Sequence, residues 1–178
     1  IAMCSPGNEA EMAVGLLFHQ GIIQSMADVL DVHFCRFTQP NTHSQVLVVE
    51  LDPALSIDLK RIETRQISNS ACGLCGSNPS AMQESESKPV FPKIWTFSSQ
   101  RLTELPTILV QHQALFKLTG GLHAAAFVSL SGDVILYRED VGRHNALDKL
   151  IGSNLMNPQF SFDQGLLIMS SRASFELV

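Results

Sequence analysis

The sequence predicts an α/β protein: a layered α/β domain preceded by a smaller α+β part. From Ser98 onward, apolar residues pass from helical spacing to short buried-strand runs and back, in the order helix, strand, hairpin partner, helix, strand. Before that region, one helical stretch is followed by two short runs rich in Val, Leu and Phe. Between the two regions, Ser68 to Lys88 is built from Gly, Ser, Asn, Pro and Gln with hardly a large apolar side chain. Such a stretch cannot bury enough surface to order itself firmly, so it reads as a mobile loop. The expected division is an N-terminal α+β part over 1–67, a cysteine-bearing linker over 68–97 and an α/β domain over 98–178, incomplete at its C-terminus.

Each element has its own signal. Ser5-Pro6 offers a capping hydroxyl and a first-turn proline, so a helix is expected to open there. Met12, Leu16 and Leu17, with Val14 beside them, give it an apolar face, and Gly21 is placed to end it. Val29–Phe37 and Gln45–Leu51 flank the turn cluster Gln39-Pro40-Asn41-Thr42-His43-Ser44 and predict an antiparallel hairpin. Leu55–Ile67 is a poorer candidate for another strand pair. Leu105, Ile108, Leu109, Leu115 and Phe116 recur at helical spacing up to a stop at Gly120-Gly121. Ala124–Leu130 reads as a buried strand, Ser131-Gly132-Asp133 as a tight turn and Val134–Tyr137 as the returning strand. Asp140 is placed to cap a helix whose stripe is Leu147, Leu150, Ile151 and Leu155. Gly165–Met169 is the third strand, and Arg172 begins another helix.

Composition narrows the function classes. Of 178 residues, 45% are apolar and 16% charged, which suits a packed core. Twelve basic residues against seventeen acidic ones leave a net charge of −5. A general nucleic-acid binder would carry a basic face, so only a small basic pocket is compatible. No apolar run approaches the ~18 residues of a membrane span. Ile1-Ala2-Met3-Cys4 lacks the basic stretch and apolar core of a signal peptide. The four cysteines, Cys4, Cys35, Cys72 and Cys75, are too sparse for an extracellular disulfide framework, and a reducing cytoplasm with one special pair fits better. The first residue is not Met, and Ser171–Val178 reads as a helix barely begun, so part of a longer protein is expected.

Four pieces bear chemistry. Cys72-Gly73-Leu74-Cys75-Gly76 places two thiols three positions apart between glycines, which keeps them accessible. A structural zinc site needs about four ligands. No second close pair exists, and Cys4 and Cys35 would have to fold back to complete one. A thioredoxin-type site expects a strand before the motif and a helix directly after it, whereas loop-forming residues flank this pair on both sides. Zinc stapling and dithiol redox chemistry stand as alternatives to sulfur carriage, in which a thiolate takes the outer sulfur of a donor persulfide by thiol–disulfide exchange. In Asp140-Val141-Gly142-Arg143-His144-Asn145-Ala146-Leu147-Asp148-Lys149, Arg143 and His144 fall in a first helical turn, where a cation opposes the helix dipole. That placement suits an anion site, most naturally for phosphate; an Arg143–Glu139 surface pair is the alternative. Gly121 and His123, in Thr119-Gly120-Gly121-Leu122-His123, allow close backbone approach beside an imidazole. Arg172 follows a buried strand and opens a helix, the position at which open α/β sheets take ligands. No Gly-Lys-Ser/Thr phosphate loop, no His-Glu-x-x-His and no His-x-Glu occur, which removes three common site types, the zinc deaminase set among them.

The cysteine motif, Thr119–Ala125, Glu139–Lys149 and Ser171–Glu176 together resemble the formate dehydrogenase accessory sulfurtransferases, the FdhD family. The likeness runs from Met3-Cys4-Ser5-Pro6-Gly7 to the last residue in the family's order, and the Asp140–Lys149 block is its most specific part. The resemblance implies a cytidine-deaminase-like fold without that fold's zinc site and a cytoplasmic, usually homodimeric protein; the charge and the apolar runs add the expectation of no nucleic-acid and no membrane partner. It implies that sulfur is accepted from a cysteine desulfurase and passed to the molybdenum (or tungsten) bis-molybdopterin guanine dinucleotide cofactor, a transient ligand, before insertion into the formate dehydrogenase apoprotein. It gives Cys72 the persulfide and makes Cys75 the second cysteine. The family's N-terminal segment and C-terminal third have no counterpart here, including a cofactor-contacting stretch near that C-terminus. Gly121, His123, Arg143, His144 and Arg172 are therefore expected to meet the cofactor's phosphates on the helix-start argument alone. A cofactor-binding chaperone without sulfur chemistry and a zinc-stapled interaction module are the competing functions.

Overall fold

A computed structural model describes residues 2–35, 45–57 and 96–172. The predicted mobile loop, the Leu55–Ile67 strand pair from residue 58 onward, the hairpin turn and the helix expected after Arg172 lie outside those residues.

The first helix, α1 (Glu9–His19), carries Glu9 and Glu11 in its first turn and His19 in its last, in accord with the helix dipole. It begins three residues beyond the expected Pro6, after Gly7 and Asn8 turn the chain at φ 91° and 63°. Ser5 does not cap it, because its backbone N–H, hydroxyl and carbonyl are all bonded to a distant segment described below. Gly21, at φ 67°, follows the helix end as expected. A short 3-10 turn at Met26–Asp28, closed by a capping box from Ser25, leads into β1 (Val29–Phe34). Antiparallel pairing with β2 (Leu47–Leu51) forms the predicted hairpin.

One predicted helix is two: α2 (Ser99–His112) and α3 (Ala114–Thr119). The break at Gln113 has a cause outside the helix. Both carboxylate oxygens of Glu139 accept backbone N–H bonds, at 3.0 Å from Leu115 and 2.8 Å from Phe116, and so fix a new helix start. Gly120, at φ 65°, ends α3. β3 (His123–Ser129) and β4 (Val134–Asp140) form a hairpin around Gly132, with β4 three residues longer than its apolar run predicts. The last helix among the described residues is α4 (Arg143–Met156), capped at Gly142 and not at Asp140. It is followed by β5 (Gly165–Met169), as expected.

The three strands lie in the order β4-β3-β5, with β3 antiparallel to both neighbours. β4 and β5 therefore run parallel with β3 between them, joined through α4 as a split β-α-β unit. β3 is buried along most of its length, because both faces of the sheet are covered. One face meets α4 through Ala125, Phe127, Leu136, Ala146, Leu147 and Leu150. The other packs Ala124 and Ala126 with Leu109 of α2 and with Tyr137 and Ile168. The alanine run in β3 keeps both faces shallow enough for close helix approach. Helices and strands are combined here as an α/β arrangement, the class predicted.

α1 packs on α4 at backbone contact. A Cβ at Gly15 would lie 1.8 Å from the carbonyl oxygen of Asp148, and one at Gly152 would lie 1.8 Å from that of Glu11. Polar ties flank the contact. Arg138 of β4 donates to both carboxylate oxygens of Glu11 (2.5 and 2.8 Å) and to Ser153 Oγ (2.6 Å). His19 Nδ1 meets Asp148 Oδ1 at 3.2 Å. The hairpin β1–β2 covers the other side of α1, where Val29, Val32 and Leu51 pack around Val14, Ile22 and Ile23.

Candidate functional site at one end of the sheet

The end of the sheet where β4 and β5 finish is also where β3 begins. His123, the first residue of β3, stands directly opposite Asp140, the last of β4. On the other side of β3, Ser170 continues β5 and closes a reciprocal pair with Ala124: Ala124 N–H donates to Ser170 Oγ at 2.8 Å and Ser170 N–H to the Ala124 carbonyl at 2.9 Å. Gly121 precedes β3, Arg143 and His144 open α4 after β4, and Arg172 follows β5. The five residues that sequence reasoning selected thus come from three separate segments to one end of the sheet. Gly121 and Arg172 are exposed there, and His123, Arg143 and His144 are half-buried. Cys72 and Cys75 lie outside the described residues.

The first turn of α4 contains no acidic residue, only Arg143 and His144. Stability alone would favour an acid at that end of a helix. Asp140, just ahead of it, faces inward and is fully buried, as is Lys149, with 0% and 1% of their side chains accessible. Lys149 Nζ donates to Asp140 Oδ2 at 2.7 Å and to the Ser5 carbonyl at 2.8 Å. Asp140 Oδ2 also accepts from Ser5 N–H at 2.9 Å, and its Oδ1 accepts from Gly142 N–H at 2.9 Å and from Asn145 Nδ2 at 2.8 Å. Asn145 Nδ2 donates to the Met3 carbonyl at 2.8 Å, and Val141 N–H to Ser5 Oγ at 2.9 Å. Buried charges of opposite sign are stable only when their remaining bonds are satisfied, and here Ser5 satisfies them on one side and Gly142 and Asn145 on the other.

This network corrects the expected role of Asp140. It does not cap α4 as the N-cap residue; it anchors the N-terminal segment against the β4–α4 junction. Sequence reasoning missed Asn145 and Lys149 as functional parts of the block. The available signal was a lysine set between Leu147 and Leu150, on a helix that shows its apolar stripe at those positions. Cys4 sits beside the same network. Burial, joined by the Asp140 carboxylate and more weakly by Glu9, raises its thiol above the ordinary value, while Lys149 pulls the other way. That is the opposite of an activated thiolate. Cys4 and Cys35 are both free thiols, half-buried.

A β3 start, two strand ends and a helix start meeting at one rim, with an arginine and a histidine in the helix's first turn, define a site type suited to anions. The comparisons with known sequences agree on the family, and a solved structure shares the fold. The model of the FdhD/NarQ family matches residues 1–178. The chain is 37% identical to the sulfur carrier protein FdhD of Corynebacterium efficiens, over 99% of this chain and 65% of that protein. It is 36% identical to the sulfur carrier protein FdhD of Sulfolobus acidocaldarius, over 100% of this chain and 64% of that one. The crystal structure of a formate dehydrogenase accessory protein from Desulfotalea psychrophila superposes with a TM-score of 0.65 at 21% identity, over 99% of this chain and 62% of the other, and so shares the fold. The chain belongs to the FdhD/NarQ family. It spans somewhat under two thirds of the length of these relatives. Among the described residues, no helix is long and apolar enough to cross a membrane.

Proposed function

We propose that this protein is a cytoplasmic sulfur carrier for formate dehydrogenase maturation, working as a homodimer with a cytidine-deaminase-like layering of its α/β part. A cysteine desulfurase supplies a persulfide, and Cys72 of the 68–97 segment accepts its outer sulfur. The Cys72 thiolate attacks that sulfur, the donor's S–S bond breaks, and the donor thiolate leaves. Discharge follows when the Cys75 thiolate attacks the inner sulfur of the Cys72 persulfide. A Cys72–Cys75 disulfide forms and hydrosulfide departs, so the dithiol supplies the two electrons. The acceptor is the bis-molybdopterin guanine dinucleotide cofactor, a substrate here and not a resident group. Its phosphates meet Arg143 and His144 at the α4 start, with Gly121, His123 and Arg172 around them, before delivery to the formate dehydrogenase apoprotein.

The observation that carries this reading is the convergence of those five residues on the rim where β4 and β5 end. Family membership supports the sulfur chemistry, since the matched relatives are sulfur carrier proteins. The test is incubation of the purified protein with a cysteine desulfurase and cysteine, followed by mass spectrometry. An adduct of about 32 Da, one sulfur atom, is expected on Cys72 and lost in Cys72→Ala. GDP is expected to bind the wild-type chain and to bind Arg143→Ala more weakly. Intact maturation in Cys72→Ala, with loss in Arg143→Ala, would make the protein a cofactor chaperone instead. Zinc released by alkylating the thiols would make it a stapled interaction module.

A further inference from the structure

We propose that the outer face of the β1–β2 hairpin is a binding site for a divalent first-row transition-metal ion, held by Asp31, His33 and Glu50. The alternation of the strands separates two faces. Val32 and Leu51 point inward to α1, whereas Asp31, His33 and Glu50 are all exposed on the opposite side. One ligand atom from each of the three lies within 4.8 Å of the others. Metal–ligand bonds of about 2.0–2.2 Å hold ligand atoms closer together than that, so the three side chains draw in on binding.

Two features of the hairpin favour a cation there. Asp31 and Glu50 are direct cross-strand partners, and two like charges placed opposite each other destabilise a strand pair unless something neutralises them. The pairing also slips by one residue between Val29 and Asp31, a bulge of the kind that re-aims side chains on one strand. Asp31 is held in place by Val32 N–H on its Oδ1 at 2.8 Å, and its Oδ2 meets His33 Nδ1 at 2.8 Å, so an ion bound there takes the place of the proton shared by those two atoms. One imidazole and two carboxylates suit zinc, nickel, iron or manganese better than a soft thiophilic ion, and three protein ligands leave coordination positions open. The ion bridges both strands and so staples the hairpin that covers α1. None of the three residues belongs to the sheet-end rim.

The test is a titration of Zn²⁺ into the full chain with its thiols alkylated, followed by calorimetry and by NMR of the histidine rings. One equivalent is expected to bind, with the His33 ring signals shifting in step. His33→Ala and Glu50→Gln are each expected to weaken binding by about tenfold or more, given that even the loss of an outer partner costs about 10–100-fold in metal sites. Both side chains are exposed, so circular dichroism of the variants should match the wild type. Absence of uptake up to millimolar Zn²⁺, or unchanged affinity in either variant, overturns the proposal and leaves the sulfur-carrier reading untouched.

Discussion

Breaking the buried Asp140–Lys149 pair is expected to be costly, and unequally so from its two sides. Asp140→Asn removes the charge with almost no change of shape. It leaves the Lys149 ammonium, 1% accessible, with the Ser5 carbonyl as its remaining bonded partner among the described residues. Uncompensated buried charges of this kind cost about 3–5 kcal/mol, a large share of the roughly 5–15 kcal/mol that holds a domain together. Lys149→Met leaves Asp140 with three donors, Ser5 N–H, Gly142 N–H and Asn145 Nδ2, so its cost should sit near the lower end, about 3 kcal/mol. The double variant removes both charges, and its loss should be smaller than the sum of the two by at least about 1.5 kcal/mol, within the range seen for residues in direct contact. Urea unfolding of all four proteins at neutral pH, at a common m-value, measures this. Amide exchange at Ser5 and Val141 should quicken in Asp140→Asn, because both amides belong to the same anchor. Additivity within about 0.5 kcal/mol would show that the pair is not energetically coupled and would refute the reasoning.

Gly152→Ala should unfold or severely weaken the protein, by about 3 kcal/mol or more, since its new Cβ would fall 1.8 Å from the Glu11 carbonyl oxygen and α1 would have to move off α4; a thermal melt within a degree or two of wild type would contradict this. Glu139→Gln should cost about 1–3 kcal/mol, because one of the two α3 amides loses its acceptor. Amide exchange at Leu115 and Phe116 reports it directly. Cys4 gives a pH dependence. Its folded-state pKa is raised by burial, so the associated stability is complete below the ordinary thiol value and is lost as pH rises through the raised one. Cys4→Ala should therefore flatten the alkaline fall in stability above about pH 8.5, and an unchanged slope would count against the assignment.

Local patterns in the sequence revealed whatever depends on near neighbours. The hairpin β1–β2, the alanine-rich β3, the turn at Gly132, the strand Gly165–Met169 and the stops at Gly21 and Gly120 are each encoded within a few residues. The errors arose where a side chain answers to a distant one. Ser5-Pro6 has every local mark of a helix start, yet its polar groups are taken by residues more than a hundred positions away. The helical spacing from Leu105 to Phe116 continues unbroken in the sequence, and the new start is set by the distant Glu139. Gly15 and Gly152 sit unremarked in their helices because nothing local reveals that two backbones touch there. The gathering of His123, Arg143 and Arg172 was legible because strand ends and helix starts are local marks, and a sheet of this connectivity brings such marks to one rim.

The Asp140–Lys149 block also divides by direction. Asn145 and Lys149, four residues apart, share a face of α4 and turn inward with Asp140 to hold Met3–Ser5. Arg143 and His144 occupy the first turn ahead of them, and Val141 is exposed. One run of sequence thus builds a fixed anchor and, on top of it, a rim where an anion would gain from the helix dipole. A rim made of the first residues of a helix is only as well positioned as the turn that starts it. That turn is Gly142, held by its N–H on Asp140 and crowded by Asn145 Nδ2, which lies 3.0 Å from where a Cβ would stand. The inward residues therefore set the geometry of the turn that Arg143 and His144 occupy. Damage to the anchor should lower stability and ligand binding together, whereas damage to Arg143 should lower binding by more than its loss of stability accounts for. Stability measured beside GDP affinity in Asp140→Asn and in Arg143→Ala separates the two, and a variant pair that moves both quantities in parallel would show that anchor and rim are one structural unit with no distinct binding role.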